Sequence, residues 1–359
     1  MSKYIIRRFL VSVPVLFGVL VVTFVLARSV PGDPCKAILG EKATVEVCER
    51  FAREKGLDKP VLVQFAIYIK EILQGDFGNS IRFNRSIVQI LIERLPMTIE
   101  LGLAGVTLAA LIGIPAGIIS ALRHNSTTDV GMMIGANIGV SVPVFVLGLL
   151  LAYVFALLLK DTPFWLPPSG RLSPGATAMP FYEVYGWELE EGTFIYNLLE
   201  FFANMFILNS LISFNWAVLK DAITHLILPA MALSTISMSI IARMTRSSML
   251  QVLELDYVRT ARAKGLAEQR VVLVHALRNT LLPIVTIIGL QLGTIFSGAI
   301  LTETIFSLPG VGRSLFEAIT ARDFPTIQGF TVVIAIGVTF INLLVDVSYV
   351  FLDPRIKLN

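Results

Sequence analysis

Residues 254–283 read ELDYVRTARAKGLAEQRVVLVHALRNTLLP, a polar stretch set between two long apolar runs. Between Glu254 and Arg278 it carries eight charges: Glu254, Asp256, Arg259, Arg262, Lys264, Glu268, Arg270 and Arg278. An ionised side chain at a bilayer centre costs roughly 2.5–3.5 kcal/mol, so burying this stretch in lipid would cost on the order of 20 kcal/mol. It therefore faces water. From Tyr257 to Ala263 it holds no Pro or Gly and mostly good helix formers. Gly265 then allows a helix end or a close backbone contact. Val271, Val272, Val274, His275 and Leu277 give a second, partly apolar helix. The stretch predicts two short helices separated by a glycine, in the water between two membrane spans.

Working outward, the flanking runs read as spans four (Ala222–Ala242) and five (Asn279–Thr302), with Pro283 as the next break after Leu277. Span one, Phe9–Ala27, has nineteen uncharged residues after Lys3, Arg7 and Arg8. That apolar core exceeds a signal peptide's usual 7–15 or so residues, so it reads as an uncleaved anchor. Its basic start puts the N-terminus in the cytoplasm. Span two is Leu101–Leu122. Span three, Val130–Leu159, has thirty uncharged residues. A crossing needs only about 20, so span three is tilted, kinked at Pro143, or extends beyond the bilayer. Span six is Phe324–Val345, and a basic tail follows. Pro14, Pro115, Pro143 and Pro229 fall within spans, where static kinks and gating hinges are both open readings.

The fold class is an all-α polytopic membrane protein with six transmembrane helices, extracytoplasmic insertions and a cytoplasmic coupling-helix loop. Residues 1–28 are the anchor and 29–99 an extracytoplasmic domain. Residues 100–359 are a core of five spans, with an outer insertion at 160–220 and the loop at 243–280. Within 29–99, residues 61–73 (VLVQFAIYIKEIL) have helical apolar spacing. They serve either as packing within that small domain or as a docking surface. Phe201–Leu219 is also uncharged over nineteen residues. Crossing there would place the Arg-rich loop and the basic tail outside, against the charge bias that sets orientation. Residues 195–219 are therefore expected as one or two helices on the outer interface. Both termini then lie in the cytoplasm.

Composition agrees: 55% of the residues are apolar and 15% charged, against about 25% charged in soluble proteins, and mean hydropathy is +0.76. No G-x4-G-K-[ST] phosphate cradle is present. Three His and two Cys at scattered positions give no metal-spaced cluster. No nucleophile–base pair emerges, and nothing points to nucleic acid. Spans one to five hold no ionised residue away from their ends, which weighs against an ion-coupled carrier.

The 254–283 stretch resembles the cytoplasmic motif E-A-A-x3-G-x9-I-x-L-P of membrane subunits of ATP-binding-cassette importers. Arg259, Thr260 and Ala261 stand at the E-A-A positions, Gly265 at the glycine, and His275, Ala276, Leu277 and Arg278 at the last four. The departures, DYVRTARAKG…HALRN, resemble the dipeptide/oligopeptide branch and its first (B-type) permease subunit. PGDP (31–34), GDFGNS (75–80), ETIFSLPGVG (303–312) and DPRI (353–356) extend the resemblance over nearly the whole chain. Residues 180–217 match least.

The resemblance implies a non-enzymatic permease subunit in the inner (plasma) membrane, forming half of a pathway with a second, related permease subunit. It implies two ATP-binding subunits inside, which hold the ATP and Mg, and an extracytoplasmic solute-binding protein outside. No cofactor is expected in this chain. Glu254, Asp256, Arg259, Thr260, Ala261, Arg262, Lys264 and Gly265 are the expected ATPase-coupling residues. The segment 303–323 reads as a re-entry or cap on the outer side, with Glu303, Phe306, Pro309, Gly310 and Gly312 as gate candidates and the Pro and Gly residues allowing a tight turn. Two other classes remain open: a carrier or channel working without an ATPase, and a non-transporting membrane scaffold.

Cys35 and Cys48 both fall in the outer segment, where oxidation is permitted. A bridge would close a loop of about fifteen residues, worth roughly 3 kcal/mol. Two buried free thiols are the competing reading.

Overall fold

The computed structural model describes residues 2–29, 44–54 and 58–352. In chain order the helices are α1 (Ser2–Ser29), α2 (Val45–Glu54), α3 (Val61–Leu73), α4 (Ile87–Leu122), α5 (Thr127–Ser141), α6 (Val144–Ala152), α7 (Phe181–Val184), α8 (Phe194–Ala203), α9 (Phe206–Ile212), α10 (Trp216–Leu253), α11 (Asp256–Ala263), α12 (Glu268–Arg270), α13 (Leu277–Ile305), α14 (Val311–Thr320) and α15 (Phe324–Leu352). π-Helical turns extend α6 over Tyr153–Leu158 and join α12 to α13 over Val271–Ala276. Among the described residues the only strand-like pairing is an isolated bridge between Asn79 and Ser86.

Four described segments are long and apolar enough to cross a membrane: Ile87–Leu122, Trp216–Leu253, Glu268–Thr294 and Phe324–Ser348. α1 carries the apolar stretch Leu10–Leu26. α5 and α6, with its π-turn, form a bent pair at 101°. Pro143 supplies the break: it cannot donate to the preceding turn, and it holds Val142 extended at φ −85°, ψ 122°. Each fifteen-residue arm is about 22 Å long, so the bent pair reaches about 28 Å end to end, close to one hydrocarbon thickness. The other prolines do not break their helices. α4 runs through Pro96 and Pro115, α10 through Pro229, and α13 through Pro283, where the sequence predicted a break.

α4 and α10 are the spine, and they run parallel. Gly105 lies against Leu233, Gly113 against Met238 and Ile241, and Gly117 against Ala242 and Thr245. A Cβ on Gly113 would stand 2.8 Å from the Met238 carbonyl, and one on Gly117 would stand 2.6 Å from that of Ala242. Gly113-x-x-x-Gly117 thus brings the two backbones together with no side-chain layer between, as small-residue pairs do in lipid. Met97, Leu101, Leu226, Leu228 and Leu233 form the core, which α13 and the segment after it close with Ala299, Phe306 and Leu308. α4 starts at Ile87, well before the expected boundary at residue 99. Ile87, Ile90 and Leu91 pack on Val311 and Phe330, which draws the end of the outer segment into the bundle.

α3 has no buried residue and lies on α1, with the Phe65 ring 4.9 Å from Phe24 and 5.9 Å from Phe17. Among the described residues its aromatic packing partner is the anchor helix.

The insertion between α6 and α10 leaves and rejoins the bundle at one end. The Gly170 N–H donates to the Phe306 carbonyl at 2.9 Å, and that of Ser173 to Asp221 at 2.7 Å. α8 and α9 meet at 98°. The Asn209 side chain joins α9 to the start of α7, accepting from the Phe181 N–H at 2.8 Å. The expected uncharged run over 201–219 is therefore divided among α8, α9 and the start of α10.

Candidate functional site

The 254–283 stretch leaves the end of α10, turns through Glu254 and Leu255, and forms α11. Asp256 supplies an acidic first turn and Arg262 a basic last turn, both favourable to the helix dipole. α11 ends where Gly265 takes φ +78°, a conformation that suits glycine. α11 is amphipathic. Val258 and Ala261 are buried with Val271, flanked by Val252, Leu253 and Leu266. Asp256, Arg259, Thr260, Arg262 and Lys264 face outward.

This geometry divides the candidate coupling residues. Ala261, expected to permit close approach by a partner, packs inward against the chain itself. Gly265 faces open space, since a Cβ there would meet nothing within 4 Å. Arg262 donates to Glu268 at 2.6 Å and 3.2 Å, which staples α11 to α12 and raises the guanidinium pKa. Arg259 pairs loosely with Asp256 at 3.6 Å. Glu254 is exposed in the turn. The second expected short helix is not separate: α12, the π-turn and α13 follow without interruption. Asn279 donates to the Tyr257 hydroxyl at 2.8 Å and to the His275 carbonyl at 2.9 Å, tying α11 to the wide π-turn.

At the far end of the bundle two of the gate candidates, Gly310 and Gly312, close on a third, Glu303. Its fully buried carboxylate accepts from Thr98 Oγ1 at 2.7 Å and from the Arg313 N–H at 2.9 Å. Thr98 Oγ1 in turn accepts from the Val311 N–H at 2.9 Å. The tight turn sits at Ser307, with φ +52°, closed by Leu308 N–H to the Glu303 carbonyl at 2.8 Å. Gly310 has φ −100° and is needed for space, not for turning: a Cβ would stand 2.2 Å from Glu303 Cδ. On Gly312 a Cβ would stand 2.7 Å from Ile300 Cα. Phe306 is buried against Gly148 of α6. Pro309 bridges the turn and α14.

Sequence reasoning missed the polar anchors. Glu100 and Arg171 form a buried pair at 2.9 Å. Arg171 also donates to the Asn204 carbonyl at 2.7 Å and lies 3.6 Å from the Phe206 ring centre. Asp323 is buried, accepting from Ser80 Oγ, the Arg82 N–H and Thr326. A signal existed for the first pair. Glu100 is the sole charge between Arg94 and Arg123, and Arg171 the sole charge between Asp161 and Glu183. Among the described residues no group of three or more His, Cys, Asp or Glu is placed to hold a metal. Cys48 sits on α2 and is disulfide-bonded, while Cys35 lies outside the described residues.

Comparison with known proteins gives a consistent result. Residues 113–358 match the family described as binding-protein-dependent transport system inner membrane component, and residues 1–102 match its N-terminal counterpart. The chain is 42% identical to the dipeptide transport system permease protein DppB of Alkalihalophilus pseudofirmus, covering 99% of this chain and 100% of that one. It is 40% identical to the di/tripeptide transport system permease protein DppB of Pseudomonas aeruginosa, over 99% of both chains. It is 37% identical to the oligopeptide transport system permease protein AppB of Bacillus subtilis, over 99% of this chain and 100% of that one.

Proposed function

Because the chain belongs to the family of binding-protein-dependent transport system inner membrane components, we propose that it imports peptides as one of two permease halves in an ATP-driven complex. It is a multi-pass membrane protein of the inner membrane, and both termini lie in the cytoplasm. Peptides are the cargo in the printed names of the relatives above. A related permease completes the pathway. Two ATP-binding subunits dock on the α11 end, and an extracytoplasmic solute-binding protein delivers substrate at the far end, where the Glu303 cap gates exit from the binding protein.

One observation carries this reading: α11 stands at the end of the bundle with its apolar face sealed on its own chain and its charged face free. A short helix seated this way transmits a push instead of absorbing it. Asp256, Arg259, Thr260 and Lys264 supply the outward contacts, and Gly265 leaves the approach open. The test uses Lys264→Cys in an otherwise Cys-free chain, assembled with its partner subunits. An impermeant thiol reagent labels it from the cytoplasmic side only, and bound ATPase subunits protect it. Labelling from outside sealed cells overturns the orientation. Full labelling with the ATPase subunits bound overturns the docking site.

Cys35 and Cys48 are proposed to pair outside the membrane, closing the segment between α1 and α2. In protein from an oxidising compartment, mass spectrometry after alkylation without reduction finds both cysteines unmodified. Alkylation of both would remove the bridge from the account.

A further inference from the structure

One carboxylate near α11 has no part in the function described so far. Asp129, in the first turn of α5, is 3% exposed. Arg246 of α10 clasps it in a two-pronged fork, with Nε and Nη2 each at 2.7 Å. Ser120 of α4 donates a further short hydrogen bond, and the Asn125 N–H of the intervening turn donates another at 3.0 Å. Four donors from three elements thus converge on one buried anion. Forked Arg–carboxylate pairs fix geometry as well as charge. Separating such a pair without its water would leave both ions uncompensated.

The clasp is the charged tie among several that join α4, α5 and α10: Ser239 of α10 donates to the Ala136 carbonyl of α5, and Arg243 donates to Asn137 at 3.0 Å. Beside it Gly117 presses directly on Ala242 and Thr245, so α4 and α10 are in close contact at the clasp. Within two turns of Arg246, Met249 packs with Ala121, Val272 and Ala276. Val252 and Leu253 then pack beneath Val258 and Ala261 of α11. Contacts therefore run along the end of α10 from the inward face of α11 to Arg246 and Asp129.

We propose that Asp129, clasped by Arg246, is a positioning residue that makes the ends of α4, α5 and α10 move with α11 as one body, so that ATP hydrolysis is converted into transport. This rests on the ATPase-docking reading above and names how that site acts on the pathway. Loss of the clasp releases the membrane helices from α11 while leaving α11 free to bind the ATPase.

The experiment compares three complexes in proteoliposomes: wild type, Asp129→Asn, and the double variant Asp129→Asn/Arg246→Gln. The double variant removes both charges and so avoids a stranded cation. The readout is peptide imported per ATP hydrolysed. This ratio falls about tenfold in both variants, a typical scale for loss of coupling between sites, while ATPase subunits still co-purify. A double variant that assembles and keeps the wild-type ratio overturns the proposal. Spin labels at His124 and Gln269 of the otherwise wild-type complex give an independent reading that needs neither variant to fold. Their separation stays within about 2 Å between nucleotide-free and nucleotide-trapped states. A larger change shows that the turn and α12 move separately and overturns the proposal as well. Failure of ATPase subunits to co-purify with the wild-type chain is a different result and counts against the docking reading alone.

Discussion

Gly310→Val abolishes uptake and removes most of the folded complex from the membrane. The new Cβ would stand 2.2 Å from Glu303 Cδ and 2.3 Å from each carboxylate oxygen. Elsewhere a carboxylate could swing aside. Here it is fully buried and held by Thr98 Oγ1 and the Arg313 N–H. Either Glu303 leaves, or the start of α14 does. Overpacking costs about 1–3 kcal/mol, and each buried hydrogen-bonding group left unsatisfied about 1–3 kcal/mol. The sum, about 5 kcal/mol, approaches the whole stability of many proteins. Gly337→Val is the control, because a Cβ there meets nothing within 4 Å. Folded complex is scored by size-exclusion of solubilised membranes, and function by uptake of labelled peptide. Wild-type uptake by Gly310→Val would show that Glu303 is not held as described.

Arg171→Met destabilises the chain by about 3–5 kcal/mol, the usual cost of stranding one member of a buried ion pair. Side chains of Arg171 and Glu100 are 9% and 7% exposed. Arg171 also holds α8–α9 through the Asn204 carbonyl and the Phe206 ring, so the insertion loosens with it. Adding Glu100→Gln restores about half of the loss. The neutral amide no longer needs a cation, and its oxygen still accepts from the Ile207 N–H, now at 2.7 Å from Glu100. Denaturation in mild detergent measures both steps. A single variant as stable as wild type would mean that the pair is hydrated and contributes little.

Residues that act through hydropathy and charge were legible in the sequence. The water-facing loop followed from eight charges between apolar runs, and α11 from its helix formers and Gly265. The parts that depend on contact between distant segments were not. Nothing local says that Thr98 answers Glu303, since 205 residues separate them. Gly310 read as a turn residue because turns are the common use of Pro-Gly, while close approach to a carboxylate needs a third dimension. Ala261 read as partner-facing from its place in a motif, yet its spacing from Val258 puts both on the inward stripe. Pro283 read as a break because lone prolines break helices in water. In a bundle neighbouring groups re-satisfy the backbone, and the helix continues.

α10 has a consequence of scale. Its 38 residues make a rod about 57 Å long, nearly twice the hydrocarbon thickness, with Asp221 near one tip and Leu253 at the other. Suppose the rod pivots about its middle by roughly 10°. Each tip then sweeps about 5 Å, roughly the rise of one helical turn, and the two tips sweep in opposite directions. A bilayer gripping the middle of such a rod is a fulcrum. Closing a gap on one side of the membrane and opening one on the other are then a single displacement with two ends, with no relay between them.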